Sequence, residues 1–435
     1  MFALRGPATP IPSTETLHKA QSLANSYAGS HQAIANTNSY CDEYPGNDTI
    51  AAIVKTGATE ALIRLPTQLV ASLRCVKEPI IVSDLEQTLG RHRIHDVLAN
   101  IAPEDKDANP DFDIYRKQRE YATSGQRIKL HSLSSLPVVG DDWRTKGKSA
   151  AWGLDKYKFL HMVEKAWELQ PEREWYVFIE ADTYLSWRNL LGFLGKYDSQ
   201  KPWYFGDPVL MHEHKPTILQ FAHAGSGFIL SGSLVRDWVV NHAGLANRWD
   251  KRIPEMWFGG YVMADALDEE LKVTVTDVTP MMQRENPARV PFGADVWCKP
   301  VVTLHHLDSR QFNELYQTEM ALGTSQLLFR DVYHSAYLAG LPFRRDDWYN
   351  LADDHKFAID VTPNDMGKFD GQWEPKDLMD PHQSYMGCEL ACIQNERCFQ
   401  FAFSTTAANE ESSSKSECWL SIGLSADLGQ RMEER

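Results

Sequence analysis

The sequence has 435 residues, of which 43% are hydrophobic and 24% are charged, and its 59 acidic and 44 basic side chains give a formal net charge of −15. This is the composition of a folded globular protein, and the length allows one large domain with attachments. The acidic balance argues against a nucleic acid or an anionic membrane surface as partner, because both select a basic face. No run approaches the roughly 18 apolar residues of a membrane span.

Residues 1–45 are rich in Ser, Thr, Ala and Asn, which predicts a polar stem. They lack the apolar core of a signal peptide. Either the protein is cytosolic, or its targeting segment is absent from this sequence, in which case that segment is the only expected contact with a membrane. Asn47-Asp48-Thr49 is a glycosylation sequon, a signal that is weak when it stands alone.

The following segments predict the start of a parallel α/β sheet. Thr49–Ala58 has the pattern of a buried strand that ends in a glycine turn, and leucines at helical spacing follow it. Pro66 is predicted to divide that helix into two pieces. Pro79–Asp84 is a second strand ending in polar residues. Ligands of such sheets bind beyond the carboxyl ends of the strands.

The middle of the chain predicts further elements of the same sheet. Residues 102–128 are highly charged with little apolar periodicity, which predicts an insertion or surface loop. A long amphipathic helix is expected over Leu154–Leu169. Ser186 is a candidate cap for a later helix. Strands are expected around the glycines of Phe221–Ser231 and over Pro300–Asp308, a segment that contains two histidines. Residues 351–384 are expected to form a linker.

Two carboxylates follow the apolar run Trp175–Ile179 within E-W-Y-V-F-I-E-A-D. On an extended strand, Glu180 and Asp182 point to the same side, roughly 7 Å apart at Cα. Oxygen ligands at this spacing suit Mg²⁺ or Mn²⁺, which complete their shells with phosphate oxygens. The alternative is that acids at a strand end are solvated and only stop the strand. The glycine-rich segment and the strand ending in histidine favour a site, because all three features can converge at one sheet edge.

Several motifs in order resemble glycosyltransferase family 31, which includes fringe proteins and core 1 β-1,3-galactosyltransferases. The likeness is to the fungal branch, covers roughly residues 41–345, and is carried by these stretches: V-K-T-G-A-T-E-A, I-E-A-D-T-Y-L, Y-D-S-Q-K-P-W-Y-F-G, A-G-S-G-F-I-L-S and T-L-H-H. The resemblance implies a GT-A fold over residues 46–350, a UDP-sugar donor, and Mn²⁺ or Mg²⁺ as cofactor. It also implies that galactose or N-acetylglucosamine is transferred with inversion to a glycan or glycoprotein acceptor, giving β-1,3 linkages. It also implies a location in the secretory pathway, in the Golgi lumen or outside the cell.

The family's site residues carry over onto matching positions of this chain. Glu180 and Asp182 fall on the ends of the family's D-x-D motif, with Asp182 as direct metal ligand, and His305 falls on the histidine that completes the metal site. His306 is open between a ligand and an ordinary packed or exposed histidine. The expected nucleotide-sugar contacts, besides Glu180 and Asp182, are Thr56, Gly57 and Asp84 for the uridine and Gly225 and Gly227 for the sugar and acceptor cleft. A plain tight bend is the alternative for these two glycines.

One position departs from the family pattern. The family has an acidic residue, expected to be the catalytic base, where this chain has Gly260. Glycine cannot accept a proton, so Glu255 or Asp265 is the predicted substitute. A second hypothesis follows from the same departure: the protein binds nucleotide-sugar or glycan without transferring the sugar. A glycoside hydrolase is a third, disfavoured because two acids on one strand cannot flank a sugar from both sides.

Four of the seven cysteines crowd into the last 50 residues, which is typical of stapled modules in oxidising compartments. A zinc site is disfavoured because no histidine lies among them and no C-x2-C pair occurs. The stretch over 385–425 resembles a short PAN/apple-like module, which implies the pairs Cys388–Cys418 and Cys392–Cys398, although three pairings are possible. Cys41 and Cys75 flank the first strand and helix and are candidates for a third disulfide, which would leave Cys298 free.

Overall fold

The computed structural model describes residues 2–4, 48–137, 149–211, 219–336, 344–345, 350, 352–358, 381–406, 415–421 and 423. The chain divides into two compact units. The larger unit consists of residues 37–284 and 301–319, and the smaller unit of residues 1–36, 285–300 and 320–435. None of the helices in the described ranges is both long and apolar enough to cross a bilayer.

A mixed, mostly parallel eight-stranded sheet forms the centre of the larger unit. Its strands lie in the spatial order Thr276–Asp277, Tyr204–Gly206, Phe228–Ser231, Trp175–Glu180, Ile50–Lys55, Ile80–Ser83, His92–Asp96 and Gln87–Leu89. Ile50–Lys55 is parallel to both of its neighbours, whereas Phe228–Ser231 is antiparallel to Trp175–Glu180. A hairpin of Pro208–Met211 with Leu219–Ala222 and a small sheet of Met282–Gln283, Thr303–Leu304 and Tyr184–Leu185 complete the strands described in this unit.

Helices cover both faces of this sheet. The α-helices are Ala61–Val70, Pro103–Asp107, Asp113–Thr123, Ala150–Asp155, Lys158–Leu169, Trp187–Leu194, Gly232–Arg236, Leu245–Trp249, Gly259–Ala266 and Ser309–Ala321, the last of which ends in the smaller unit. The 3-10 and π segments described in this unit are Pro110–Phe112, Arg127–Ser135, Ala224–Ser226, Asp237–Asn241, Ile253–Glu255 and Leu267–Leu271. The predicted α/β fold class is confirmed, and the arrangement is consistent with GT-A.

The strands are buried on both faces, and alternate residues enter two separate cores. Tyr176 and Phe178 pack into the core that holds Leu160 of helix Lys158–Leu169. Val177 and Ile179 point to the opposite core, with Leu65 among its members. By the same alternation, Lys55 and Glu180 are adjacent partners on the face of helix Lys158–Leu169.

The smaller unit contains a five-stranded antiparallel sheet within the described residues, ordered Arg344–Arg345, Phe2–Leu4, Gln400–Thr406, Lys415–Ser421 and His355–Ala358. Its helical segments are Ala294–Trp297, Phe329–Ala336, Pro381–Gln383 and Tyr385–Gln394. Disulfide Cys388–Cys418 joins the last helix to strand Lys415–Ser421, and Cys392–Cys398 joins it to the turn before strand Gln400–Thr406; both predicted pairs are confirmed. Cys298 is free, as predicted. Cys75 is disulfide-bonded, and its predicted partner Cys41 lies outside the described residues.

Two predictions about helices were wrong. Helix Ala61–Val70 runs through Pro66 without a break. The proline leaves the carbonyl of Leu62 without an intrahelical donor, and the exposure of Leu62 places that turn in water, which can satisfy the carbonyl. The predicted helix Leu154–Leu169 is two helices that meet at Lys156 and Tyr157.

Residues 102–128 are not a surface loop. They form helices whose buried residues, Phe112, Ile114, Tyr115 and Gln118, are too few to give a clear apolar period. The segment His355–Ala358, inside the predicted linker, is a strand. Most of the predicted stem, most of the rest of that linker, and Asn47 of the sequon lie outside the described residues.

Candidate active site

A cavity of about 940 Å³ lies at the carboxyl ends of Ile50–Lys55 and Trp175–Glu180, within the larger unit. Because these two strands are parallel neighbours, the residues that follow them meet at one edge of the sheet. The cavity lining is rich in ionisable residues: Lys55, Glu60, Arg64, His131, Asp155, Lys158, Glu180, Asp182, His223, His305, His306 and Asp308.

Asp182, His305 and His306 form a cluster whose candidate ligand atoms all lie within 4.8 Å of one another. His305 Nε2 lies 3.2 Å from Asp182 Oδ1, and His306 Nδ1 lies 4.0 Å from Asp182 Oδ2. The two imidazole rings stack with centroids 3.7 Å apart. One carboxylate and two imidazoles are a donor set that can hold a divalent ion.

Backbone pairing places these residues together. Trp175–Glu180 ends one residue before Ala181, so Asp182 lies in the turn that follows the strand. The short strand Thr303–Leu304 pairs antiparallel with Tyr184–Leu185, and the Leu307 amide donates to the Asp182 carbonyl at 3.1 Å. The chain therefore returns to Asp182 at His305. His306 has φ +59°, an uncommon value for a residue other than glycine, and this conformation accompanies the stacking of its ring on His305.

Burial and charge oppose each other at this cluster. Burial favours the neutral carboxyl, but the hydrogen bond and charge of His305, with Arg64 and His306, lower the pKa of Asp182 to about 2. Burial likewise disfavours the imidazolium, yet Asp182 and Glu180 raise the pKa of His305 above its ordinary value. Without a metal, the two groups therefore stabilise each other as carboxylate and imidazolium.

Glu180 has a different environment from Asp182. Its Oε1 lies 3.1 Å from Lys55 Nζ, and its Oε2 lies 3.9 Å from His305 Nε2. Lys55 also contacts Asp155 at 2.5 Å, and Asp155 contacts Lys158 at 3.1 Å. Burial would lower the pKa of Lys55, but Asp155 and Glu180 raise it. Two buried lysines and two acids therefore form one ion network along the cavity wall beside the metal-ligand candidates.

The residues expected at the uridine differ in their access to the cavity. Gly57 lines it, whereas Thr56 and Asp84 are buried and are not among the lining residues. Asp84 accepts hydrogen bonds from the Ala58 amide at 2.7 Å and from Gln118 Nε2 at 3.1 Å. In this structure Asp84 holds the turn that carries Gly57.

Gly225 and Gly227, which follow strand Leu219–Ala222, allow close contacts with two different neighbours. Gly225 lines the cavity, and a Cβ at this position would overlap the ring of His305. Gly227 has φ +80°, and a Cβ there would lie 2.8 Å from the carbonyl oxygen of Phe178, against the central strand. Close approach of a ring and of a backbone thus requires glycine at both positions.

Gly260 lines the cavity, but the two acids considered as its substitutes are not among the lining residues. Glu255 is exposed in the 3-10 turn Ile253–Glu255. Asp265 is buried in helix Gly259–Ala266, with Oδ2 3.9 Å from Arg252. A Cβ on Gly260 would lie 2.8 Å from the Ala222 carbonyl oxygen, so the backbone packing at this position leaves no room for a side chain.

Sequence reasoning missed several residues of the cavity, among them Lys158 and His223. Burial first, and then the charges of His305 and Arg284, lower the pKa of His223 to about 3. The position of Lys55 at the end of a correctly identified strand could have indicated that this lysine lines the cavity. His223 and Lys158 enter the cavity only through tertiary packing.

Comparisons with known proteins bear on part of this site. Residues 150–285 match the Fringe family model, described as Fringe-like. The matched segment contains Glu180, Asp182, Gly225 and Gly260 but ends before His305. No curated protein matches the chain. Residues 150–285 therefore resemble a Fringe-like domain, a family of glycosyltransferase family 31 type.

Proposed function

We propose that the chain is a metal-dependent, inverting glycosyltransferase that moves galactose or N-acetylglucosamine from a UDP-sugar to a glycan hydroxyl, forming a β-1,3 linkage. The observation that carries the proposal is the cluster of Asp182, His305 and His306 at the carboxyl edge of the sheet, inside a cavity of about 940 Å³. That volume is in the upper part of the range of small-molecule sites, and the Fringe-like match provides independent support.

The donor set fits a divalent ion, with Mn²⁺ favoured over Mg²⁺. Mg²⁺ strongly prefers oxygen ligands, whereas a borderline ion accepts imidazole nitrogen beside carboxylate. Asp182, His305 and His306 would hold the ion, and Glu180, paired with Lys55, would act from the edge of the site. When bound, such an ion neutralises negative charge on the diphosphate leaving group.

The protein's own cations would assist binding of the donor. Arg64 Nη1 lies 3.3 Å from Asp182 Oδ2, at the metal-ligand candidates. Lys55 and Lys158 are each paired with Asp155, which balances their charge inside the fold. Arg64 is therefore the cation placed to meet the diphosphate, whereas the two paired lysines hold Asp155 and Glu180 in position along the cavity wall.

A second candidate function has a specific observation behind it. Gly260 lines the cavity at the position where the resemblance implies the catalytic base, and Glu255 and Asp265 are not among the lining residues. The cavity of the described residues still contains other carboxylates, including Glu60 and Asp308. If none of them accepts the acceptor proton, the protein binds UDP-sugar or glycan without transferring it.

Thermal unfolding with UDP and Mn²⁺ tests both functions. A ligand that binds only the folded state raises Tm, so we expect UDP and Mn²⁺ together to raise Tm more than either alone. Asp182→Ala should abolish this synergy, whereas Asp107→Ala, which removes an exposed acid outside the cavity, should retain it. No shift in the wild type would contradict the transferase and any binding of UDP-sugar, and would leave glycan binding as the second function.

UDP release separates the two candidates. With Mn²⁺ and a glycan acceptor whose hydroxyl takes the hexose, a transferase should release UDP from UDP-galactose or UDP-N-acetylglucosamine, and Asp182→Ala should abolish the release. A wild-type protein that binds UDP but releases none in the presence of a screened set of glycan acceptors is the binding protein.

We also infer a location in the secretory pathway, in the Golgi lumen or outside the cell. Disulfides are typical of such compartments, and the chain contains Cys388–Cys418 and Cys392–Cys398. The stapled helix and strands over residues 385–421 support the proposal of a PAN/apple-like module that binds protein or carbohydrate. Proteolysis between residues 351 and 384, with and without reductant, tests whether this module is independently folded.

A further inference from the structure

His223 is a half-buried histidine of the cavity wall that lies beside the metal-ligand candidates. It follows strand Leu219–Ala222 and lines the same cavity as the metal-ligand candidates. The centroid of its ring lies 5.8 Å from that of His305, at an interplanar angle of 62°. A ligand held at His305 would therefore have His223 beside it.

Hydrogen bonds define what His223 can offer to that ligand. The Ser226 amide donates to His223 Nδ1 at 3.3 Å, and the Ser226 hydroxyl donates to the His223 carbonyl at 2.7 Å. Because Nδ1 is an acceptor here, the proton of the ring is on Nε2. Within the described part of the chain, Nε2 has no hydrogen-bond acceptor. The ring thus presents one fixed N–H donor in a cavity.

The position next to the metal-ligand candidates indicates which part of the donor this N–H meets. In a nucleotide-sugar the hexose is attached directly to the diphosphate, so a diphosphate at Asp182 and His305 has the hexose adjacent to it. Hydroxyl oxygens of a hexose accept hydrogen bonds, and an imidazole N–H distinguishes epimers by whether an oxygen lies within reach.

We propose that His223 is a specificity-determining residue whose Nε2–H donates a hydrogen bond to a hydroxyl oxygen of the transferred hexose. This inference rests on the proposed function, because it takes the ligand to be a UDP-hexose. His223 distinguishes the sugar and has no part in holding UDP.

Calorimetric titration of Mn²⁺-loaded protein with UDP, and separately with UDP-galactose and UDP-N-acetylglucosamine, tests the assignment. We expect His223→Ala to weaken binding of the preferred UDP-sugar about tenfold and to leave UDP affinity within about twofold. His242→Ala is the matched control, because it removes a histidine outside the cavity lining, and it should change neither affinity.

Two further variants separate the sugar contact from the structural role of the ring. Gln places its side-chain amide where Nε2 lies in histidine, whereas Asn places an oxygen near Nδ1 and can accept from the Ser226 amide. We expect His223→Gln to restore most of the sugar affinity and His223→Asn to restore little of it. Rescue by Asn alone would assign His223 to the turn and overturn the proposal.

Other results of the calorimetric titrations would overturn either the role of His223 or the proposed function. Equal loss of UDP and UDP-sugar affinity in His223→Ala, or no loss of either, would overturn the assignment while leaving the proposed function standing. Failure of the wild type to bind UDP with Mn²⁺ would overturn the proposed function, and this inference with it.

Discussion

Gly225→Ala is the substitution that most sharply tests how the metal-ligand candidates are held. A Cβ at this position would overlap the imidazole of His305. The loop cannot easily retreat, because the Thr183 hydroxyl donates to the Gly225 carbonyl at 2.7 Å. We therefore expect the His305 ring to move and the loop to stay.

The cost of that movement follows from the burial of the pair. The side chains of His305 and Asp182 are 6% and 15% exposed, with Nε2 and Oδ1 3.2 Å apart. A ring that tilts but keeps Asp182 should cost about 1–3 kcal/mol, as overpacking usually does. Full separation of a buried ion pair costs about 3–5 kcal/mol. We therefore expect Gly225→Ala to reduce the free energy of unfolding by about 1–5 kcal/mol.

Urea unfolding and Mn²⁺ titration measure the two consequences separately. We expect Gly225→Ala to lower the urea midpoint and to weaken Mn²⁺ binding at least about tenfold, a loss of the size seen when the support of a metal ligand is removed. Gly195→Ala is the control: Gly195 has φ −60° after helix Trp187–Leu194, and a Cβ there meets the Leu191 carbonyl at 3.3 Å. Its effect on stability should stay within about 1 kcal/mol. A destabilised Gly225→Ala protein with wild-type Mn²⁺ affinity would refute the role of His305.

Three other predictions concern pH, the disulfides and Gly260. The lowered pKa of Asp182 means that its carboxylate stabilises the fold fully only above pH 3.8, the ordinary pKa of the group. The raised pKa of His305 means that its imidazolium stabilises the fold fully only below pH 6.5. The Tm difference between metal-free wild type and Asp182→Asn should therefore be largest between pH 3.8 and pH 6.5. Cys418→Ser opens a disulfide that spans 30 residues, and Cys398→Ser opens a disulfide that spans 6 residues. Loop entropy predicts that the free energy of unfolding of the smaller unit, measured in urea, falls by about 3.5 kcal/mol in the first variant and by about 2 kcal/mol in the second. Gly260→Asp should lower Tm without raising UDP release, because its Cβ would lie 2.8 Å from a backbone oxygen.

Each of these predictions has a contrary result. A Tm difference that does not vary with pH would show that the Asp182–His305 pair is not coupled to protonation. A larger loss for Cys398→Ser than for Cys418→Ser would contradict the loop-entropy argument. An active, stable Gly260→Asp protein would identify the wild type as a weakened transferase.

The sheet edge was predictable because its strands are buried on both sides. Continuous apolar runs before Lys55 and Glu180 marked both strands, and parallel strands bring their carboxyl ends together. The sequence did not show that the strand stops at Glu180, which leaves Asp182 in a turn. For that reason the two acids, expected on one side, have different partners: Lys55 for Glu180 and His305 for Asp182.

Other features depend on tertiary contacts that no local pattern encodes. The inclusion of His306 in the cluster depends on its left-handed backbone conformation. Gln118 donates to Asp84 from a segment whose polar composition predicted a loop. His223 and His305 are 82 residues apart in sequence, and the Thr303 hydroxyl, which donates to the Ser226 carbonyl at 2.6 Å, links the two segments that carry them.

Anomalous diffraction at the manganese edge, from crystals grown with Mn²⁺ and UDP, measures the central claim directly. We expect one strong peak within coordination distance of the Asp182 carboxylate and a His305 nitrogen, with UDP bound beside it in the cavity. A manganese peak elsewhere, or UDP bound in the cavity with no metal at Asp182, would contradict it.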